Sequence, residues 1–278
     1  MLEGKRIAVV VPAYCEEAIL PRTLAGLPDF VDQVIVVDDG SPDRTFEVAR
    51  ALARDEARVE VVRLGFNQGV GRAIVCGYER ALAMGADVVV VMAADDQMDP
   101  ADLPAVLAPL LQGCADYVKG NRLRHPEIGR MPPLRRAGTA VLARMTSLVS
   151  GLEGLEDTQC GYTAISRQML KALPLRELYP RYGYPNDMLI RLAEQGARVV
   201  QPVVRPVYAD EVSGLKISRV VGPISGILLR GAVRRVRRLK VSGSVRGEVV
   251  TLRAGAACEG AGALAGAQSW DDALAAAE

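Results

Sequence analysis

The chain has 278 residues, half of them hydrophobic and 24% charged, which excludes a wholly disordered or collagen-like chain and supplies a core for one large domain. Lys plus Arg number 34 against 33 Asp plus Glu, a net charge of +1, so no global field draws the protein to nucleic acid, and with aromatics at 4% base-stacking platforms are not expected. A single histidine, His125, disfavours a His-rich metal centre and a Ser-His-Asp triad, and five scattered cysteines without a CxxC are expected as free thiols in a reducing cytosol.

Along the first 120 residues, short apolar runs alternate with helical patterns. Runs at Ile7–Val11, Val34–Val37, Val59–Val62, Val88–Val91 and, more weakly, Asp116–Val118 are continuous rather than alternating, as in strands buried on both faces of a parallel sheet. Helices are predicted between them over Glu16–Leu27, Asp43–Ala53, Gly71–Met84 and Ala101–Leu111. The βαβ alternation predicts an α/β fold with an open, mostly parallel twisted sheet flanked by helices. Beyond it the pattern is irregular: a helix over Leu134–Leu152, a polar turn at Asp157–Tyr162, a short run at Thr163–Ile165, a helix over Asp187–Gln195, and an edge strand over Arg198–Tyr208 that contains Pro202 and Pro206. The expected division is a domain over 1–240, with halves at about 1–122 and 123–240, and a tail over 241–278, partly disordered and rich in Ala and Gly toward its end. No leader peptide and no spanning helix are expected.

In open α/β sheets ligands bind beyond the carboxyl ends of the strands. The residues there are Pro12–Glu17, Asp38–Asp43, Asn67–Arg72 and Asp95–Asp99, so four polar, turn-rich clusters converge on one edge. Asp38-Asp39-Gly40-Ser41 can accept hydrogen bonds from a base or ribose, or can form a capped strand-to-helix turn. Asn67-Gln68-Gly69-Val70-Gly71 offers N–H groups to a phosphate or base, or is a tight turn with glycine at positive φ. Asp95 and Gln97 lie two apart in an extended loop, where both oxygens can reach a hard divalent cation, while Asp96 and Asp99 suit capping of the helix from Pro100. Asp187 opens an apolar helix as a general base or as an ordinary N-terminal charge. Arg122, Arg135 and Arg136 can meet an anionic substrate or serve solubility, and His125 reads as a solvated loop residue. Lys216 and Arg219 are cations around a glycine-containing loop. The basic run Arg230–Lys240 suits a helix lying on an anionic membrane surface, or one docked on the domain.

Taken together, these residues resemble the family 2 glycosyltransferases of the GT-A fold. The motifs are Val11-Pro12-Ala13-Tyr14-Cys15-Glu16-Glu17, Val37-Asp38-Asp39-Gly40-Ser41-Pro42-Asp43, Asn67-Gln68-Gly69-Val70-Gly71-Arg72-Ala73, Asp95-Asp96-Gln97 and Gly120-Asn121-Arg122. Asp157-Thr158-Gln159-Cys160-Gly161-Tyr162 resembles a segment of the polyprenyl-phosphate branch, which includes the dolichol-phosphate mannose synthases. The resemblance implies inverting transfer from a GDP- or UDP-sugar, aided by Mg²⁺ or Mn²⁺, to a polyprenyl phosphate, on a cytoplasmic protein peripheral to the membrane. Pro12, Ala13, Tyr14, Glu16, Asp38, Asp39, Gly69 and Ala94 would hold the nucleotide, and Asp95 and Gln97 the metal. Arg122, Arg135, Lys216 and Arg219 would meet donor or acceptor phosphates. Asp95, Asp187 and Arg122 are the expected catalytic set. The first acid of the family's D-x-D is Ala93 here, so weaker or more permissive metal binding is expected. A hydroxyl acceptor, which would need Asp187 as base, and a silent nucleotide-sugar-binding relative are the alternatives.

Overall fold

The computed structural model describes residues 1–207, 217–242 and 247–252, with the side chains of the long C-terminal helix described from 222 to 239. Four parallel strands, β1 (Ile7–Ala13), β2 (Gln33–Asp38), β3 (Val59–Arg63) and β4 (Val88–Val91), form where the apolar runs lie. Their side chains alternate between two cores. Val9, Val11, Val34, Val36, Val88 and Val90 point to the face covered by α1 (Leu20–Ala25) and α4 (Leu103–Leu111). Ala8, Val10, Ile35, Val37, Val89 and Val91 point to the face covered by α3 (Val70–Ala83) and α7 (Tyr184–Glu194). Burial on both sides is why β1, β2 and β4 read as unbroken hydrophobic runs, while β3, at the edge, carries Glu60 and is only partly buried.

Among the described residues the sheet has nine strands in the order β3-β2-β1-β4-β7-β5-β8-β9-β6. β5 (Tyr117–Lys119), β6 (Leu152–Glu153), β7 (Thr163–Ser166), β8 (Val199–Pro202) and β9 (Gly247–Leu252) complete it. β7 runs antiparallel to both β4 and β5, and the two reversals leave β5 parallel to β4. The carboxyl ends of β1, β2, β4 and β5 therefore share one rim. The remaining helices are α2 (Thr45–Asp55), α5 (Pro133–Ser150), α6 (Arg167–Ala172) and α8 (Ile217–Ser242). Among the described residues, no helix is long and apolar enough to cross a membrane.

Several sequence expectations shift. The helix expected from Glu16 begins only at Leu20, because Cys15 sits at φ +60° and Pro21, which has no N–H to give, fits the first turn. The helix expected from Asp187 begins at Tyr184, again with a proline in its first turn. The strand expected over Arg198–Tyr208 stops at Pro202, and it is not an edge: β9 pairs along it on the far side, with Pro202 opposite Leu252. β9 lies within the span expected as tail. Its two adjacent valines are too few to stand out, and the strand is held by pairing rather than by its own pattern.

Candidate active site

At the rim, Ala13 and Asp38 are paired neighbours in β1 and β2, and the Ala94 N–H donates to Pro12 O at 3.3 Å, which brings the loop after β4 alongside. Asp39 holds two loops. Its N–H donates to Ala13 O at 2.9 Å, and its carboxylate accepts from the Gln68 N–H at 2.7 Å and the Gly69 N–H at 2.8 Å. Asp38 is fully buried, and its Oδ1 accepts from the Ser41 N–H at 3.0 Å. Its Oδ2 has Arg63 Nε at 3.3 Å, a charge contact, and no hydrogen bond. The Ser41 hydroxyl accepts from the Cys15 N–H at 3.1 Å, and the Thr45 hydroxyl from the Glu16 N–H at 2.8 Å. Gly40 closes the turn at φ +70°, and a Cβ there would stand 2.6 Å from the Phe66 backbone. Tyr14 is exposed beside these turns.

The glycine loop after β3 is a packing device. The Gly69 N–H is taken by Asp39, φ at Gly69 is +100°, and a Cβ there would meet Pro180 O at 2.6 Å. A Cβ on Gly71 would meet Tyr179 O at 2.5 Å, and the Arg72 N–H donates to Pro180 O at 3.1 Å. The start of α3 is thus covered by the segment Tyr179–Arg181, and Gly69 serves the tight-turn reading.

After β4, Asp95 Oδ1 accepts from the Gln97 N–H at 3.1 Å, so Asp95 shapes its own loop and does not cap a helix. Asp99 caps the turn from Pro100 through the Ala101 N–H at 2.9 Å, and Asp96 pairs with Arg22. The Ala93 N–H faces Met98 Sδ at 3.4 Å, and the Met98 methyl packs close over Gly161, 2.7 Å from where a Cβ there would lie. Among the described residues no group of three or more His, Cys, Asp or Glu could hold a metal ion. The donor set, one carboxylate and one amide oxygen, fits a hard cation of the Mg²⁺ or Mn²⁺ kind that is held mostly by diphosphate oxygens and water.

Arg122 follows β5 and is locked on Asp157: Nε donates to Oδ2 at 2.8 Å, Nη2 to Oδ1 at 3.1 Å, and the Arg122 N–H to Oδ2 at 3.2 Å. Asp157 Oδ1 also accepts from the Gln159 and Cys160 N–H groups. Lys119, only 1% exposed, donates to Cys160 O at 2.6 Å. Burial pushes its ammonium down to about 8, against the opposing pull of Cys160 and Asp157. Burial pushes the Asp157 carboxyl up, but Arg122 and then Lys119 outweigh it and hold the group below its usual range. Arg122, expected to face a phosphate, thus braces the Asp157–Tyr162 turn. Neither Lys119 nor Met98 stood out in the sequence, since a lone lysine ending a strand and a methionine in a loop carry no pattern.

Asp187 is buried in the first turn of α7. Its Oδ2 accepts from the Tyr179 N–H at 3.0 Å and from Arg191 Nε at 3.4 Å, and its Oδ1 lies 3.5 Å from Arg234 of α8. Arg135 and Arg136 are exposed on α5, and His125 accepts the Glu127 N–H as a loop cap. Lys216 lies outside the described residues, as does the side chain of Arg219. Of the basic run, Arg234 and Arg238 bind Glu194 and Arg235 donates to Leu148 O, while Arg230 and Arg237 are exposed. The four described cysteines Cys15, Cys76, Cys114 and Cys160 are free thiols.

This chain is 29% identical over 223 residues to UDP-N-acetylglucosamine--dolichyl-phosphate N-acetylglucosaminyltransferase of Methanococcus voltae, covering 75% of this chain and 88% of that one. It is 35% identical over 202 residues to undecaprenyl-phosphate mannosyltransferase of Micrococcus luteus, covering 70% and 81%. Its fold matches glucosyl-3-phosphoglycerate synthase of Mycobacterium tuberculosis in complex with Mn²⁺, UDP and glucosyl-3-phosphoglycerate, with a TM-score of 0.62 at 24% identity over 84% and 80% of the two chains. The model for "Glycosyl transferase family 2" matches residues 8–173, across both the donor rim and the Asp157 turn, and the chain belongs to that family, as a GT-A glycosyltransferase similar to its polyprenyl-phosphate members.

Proposed function

We propose that the protein transfers a sugar, with inversion, from a nucleoside-diphosphate sugar to a polyprenyl phosphate at the cytoplasmic face of a membrane. The observation that carries the donor side is the rim itself. Asp38, with one buried oxygen lacking a hydrogen bond, lies on the strand next to the one whose Pro12 O receives the Ala94 N–H, three residues before Gln97. A nucleoside donates N–H and O–H groups to such carboxylates, and Pro12, Ala13, Tyr14, Glu16 and Asp39 shape the wall around it. Asp95 and Gln97 would hold the cation. When bound, it neutralises charge on the departing diphosphate. Arg122 positions the acceptor-side turn through Asp157.

Two features favour a lipid phosphate over a hydroxyl acceptor. A phosphate oxyanion needs no base, and the Asp187 carboxylate is occupied by a backbone N–H and two guanidinium groups. In addition, Leu229, Val233 and Val236 of α8 and Leu134, Val141, Met145 and Leu148 of α5 are exposed, with Leu148 at 78% and Leu229 at 68%, and Arg230 and Arg237 are exposed among them. An apolar face edged by cations suits an anionic bilayer surface. Relatives that by name act on dolichyl and undecaprenyl phosphates support the same reading.

A thermal-shift panel of UDP and GDP with Mn²⁺ tests the donor: one nucleotide raises the transition by mass action, and silence from both refutes the reading. Transfer of labelled sugar to undecaprenyl phosphate in anionic liposomes, absent with water-soluble alcohols, tests the acceptor.

A further inference from the structure

We propose that Asp187 is a positioning residue that sets the donor-side loop through the strap Tyr179–Arg181, an inference that rests on the glycosyltransferase reading only for its ligand. Three elements meet at this one carboxylate. The Tyr179 N–H ends the strap, Arg191 belongs to α7, and Arg234 belongs to α8. Arg191 adds a second hold upstream, donating to Glu177 O at 3.1 Å and to its carboxylate at 3.0 Å. A carboxylate this buried is retained at a cost unless its partners are fixed, so it orders the backbone that donates to it.

The strap then bears on the loop after β3 at four places. Tyr179 O faces Gly71, Pro180 O accepts from the Arg72 N–H, and Pro180 O with Arg181 Cγ leaves room at Gly69 for a hydrogen only. Arg181 donates from Nη1 to Asn67 Oδ1 and from Nη2 to Asn67 O, both at 3.2 Å. The far end of that loop is where the Gln68 and Gly69 N–H groups meet Asp39. From α7 to the end of β2 the contacts are continuous and each is backbone or charge-assisted. Releasing the Tyr179 N–H lets the strap lift, frees Asn67–Gly71 and leaves Asp39 without a fixed partner at the nucleotide wall. Asp187 therefore acts on donor affinity and takes no proton from the acceptor.

Asp187→Asn keeps the size of the side chain and removes its charge. Expected in the full chain is a rise of about tenfold in the Kd for UDP or GDP with Mn²⁺ and in donor KM, the scale of one lost charge-assisted hydrogen bond, with kcat at saturating donor changed less than about threefold. Amide exchange at Gln68–Arg72 should quicken, a readout that needs no ligand. Gly71→Ala, which pushes on Tyr179 O while leaving Asp187 untouched, should reproduce both effects. Glu194→Gln, which loosens α8 from α7 at Arg234 and Arg238, should leave both within about twofold. A fall in kcat of about 10²-fold with donor KM unchanged would make Asp187 the base and overturn the inference. So would unaltered exchange at Gln68–Arg72, or an equal effect from Glu194→Gln. Failure of the wild-type chain to bind either nucleotide would instead sink the functional reading, and amide exchange in Asp187→Asn would still decide the inference.

Discussion

The rim at the carboxyl ends of β1 and β2 and the Asp157 turn both gather buried carboxylates, and they use them differently. At the rim, Asp38 and Asp39 accept mainly backbone N–H groups from turns that follow other strands. At the turn, Asp157 accepts a forked guanidinium and lies near a buried ammonium. Backbone donors fix loop shape without bringing a counter-charge, and Asp39 is held this way, while Asp38 also has Arg63 Nε at 3.3 Å. Side-chain pairs cancel charge locally and fix one segment against another. The rim and the turn thus use their carboxylates for different ends, loop shape at the first and one segment fixed against another at the second, with the Met98 methyl packed beside Gly161.

Breaking the turn should have the largest effect. Arg122→Met strips the buried Asp157 of its forked guanidinium, leaving the Gln159 and Cys160 N–H groups and the Lys119 charge nearby, and the unfolding free energy in urea should fall by about 3–5 kcal/mol. A drop under about 1 kcal/mol would show that Asp157 finds another partner and that the contrast is false. Asp95→Asn should lower transfer about 10²-fold while the urea midpoint moves by less than in Arg122→Met, since Asp95 Oδ1 accepts the Gln97 N–H of its own loop, a bond that an Asn oxygen can keep. A comparable loss of stability would make the rim as structural as the turn. Gly40→Ala forces a left-handed φ on a residue whose new methyl meets the Phe66 backbone, so it should cost about 1–3 kcal/mol and weaken nucleotide binding together.

The smallest effect sharpens the comparison by pH. The folded Asp157 carboxyl titrates below its ordinary 3.8, so as pH falls the unfolded chain takes up the proton first. This contribution to stability is complete above that ordinary value and is lost as pH drops through the folded one. In Asp157→Asn the decline in urea midpoint from about pH 5 downward should be shallower than in the wild type. Identical slopes would mean that the acid limb belongs to other carboxylates.

Much of the rim was legible beforehand. Four valine-rich runs placed the strands, and the rule that ligands lie past their carboxyl ends placed Pro12–Glu17, Asp38–Asp43, Asn67–Arg72 and Asp95–Asp99 together. The capping of Asp99 and the tight turn at Gly69 were also legible as alternatives, because both depend on residues a few positions apart. The engagement of Arg122 and Asp187 was not. Asp157 is 35 residues from Arg122, and Arg234 reaches Asp187 from another helix. A charged side chain reads the same in sequence whether it meets substrate or a buried partner.

By itself the sequence determined the parallel core and the edge where its polar turns gather, since hydrophobic patterning and turn chemistry are local and act before any long-range contact forms. Only the tertiary structure decided which charges remain for a ligand. That choice turns on burial and on partners brought together by β7's reversed strand, the strap over α3 and the seating of α8, and desolvation makes a charge in such places bind whatever lies within reach.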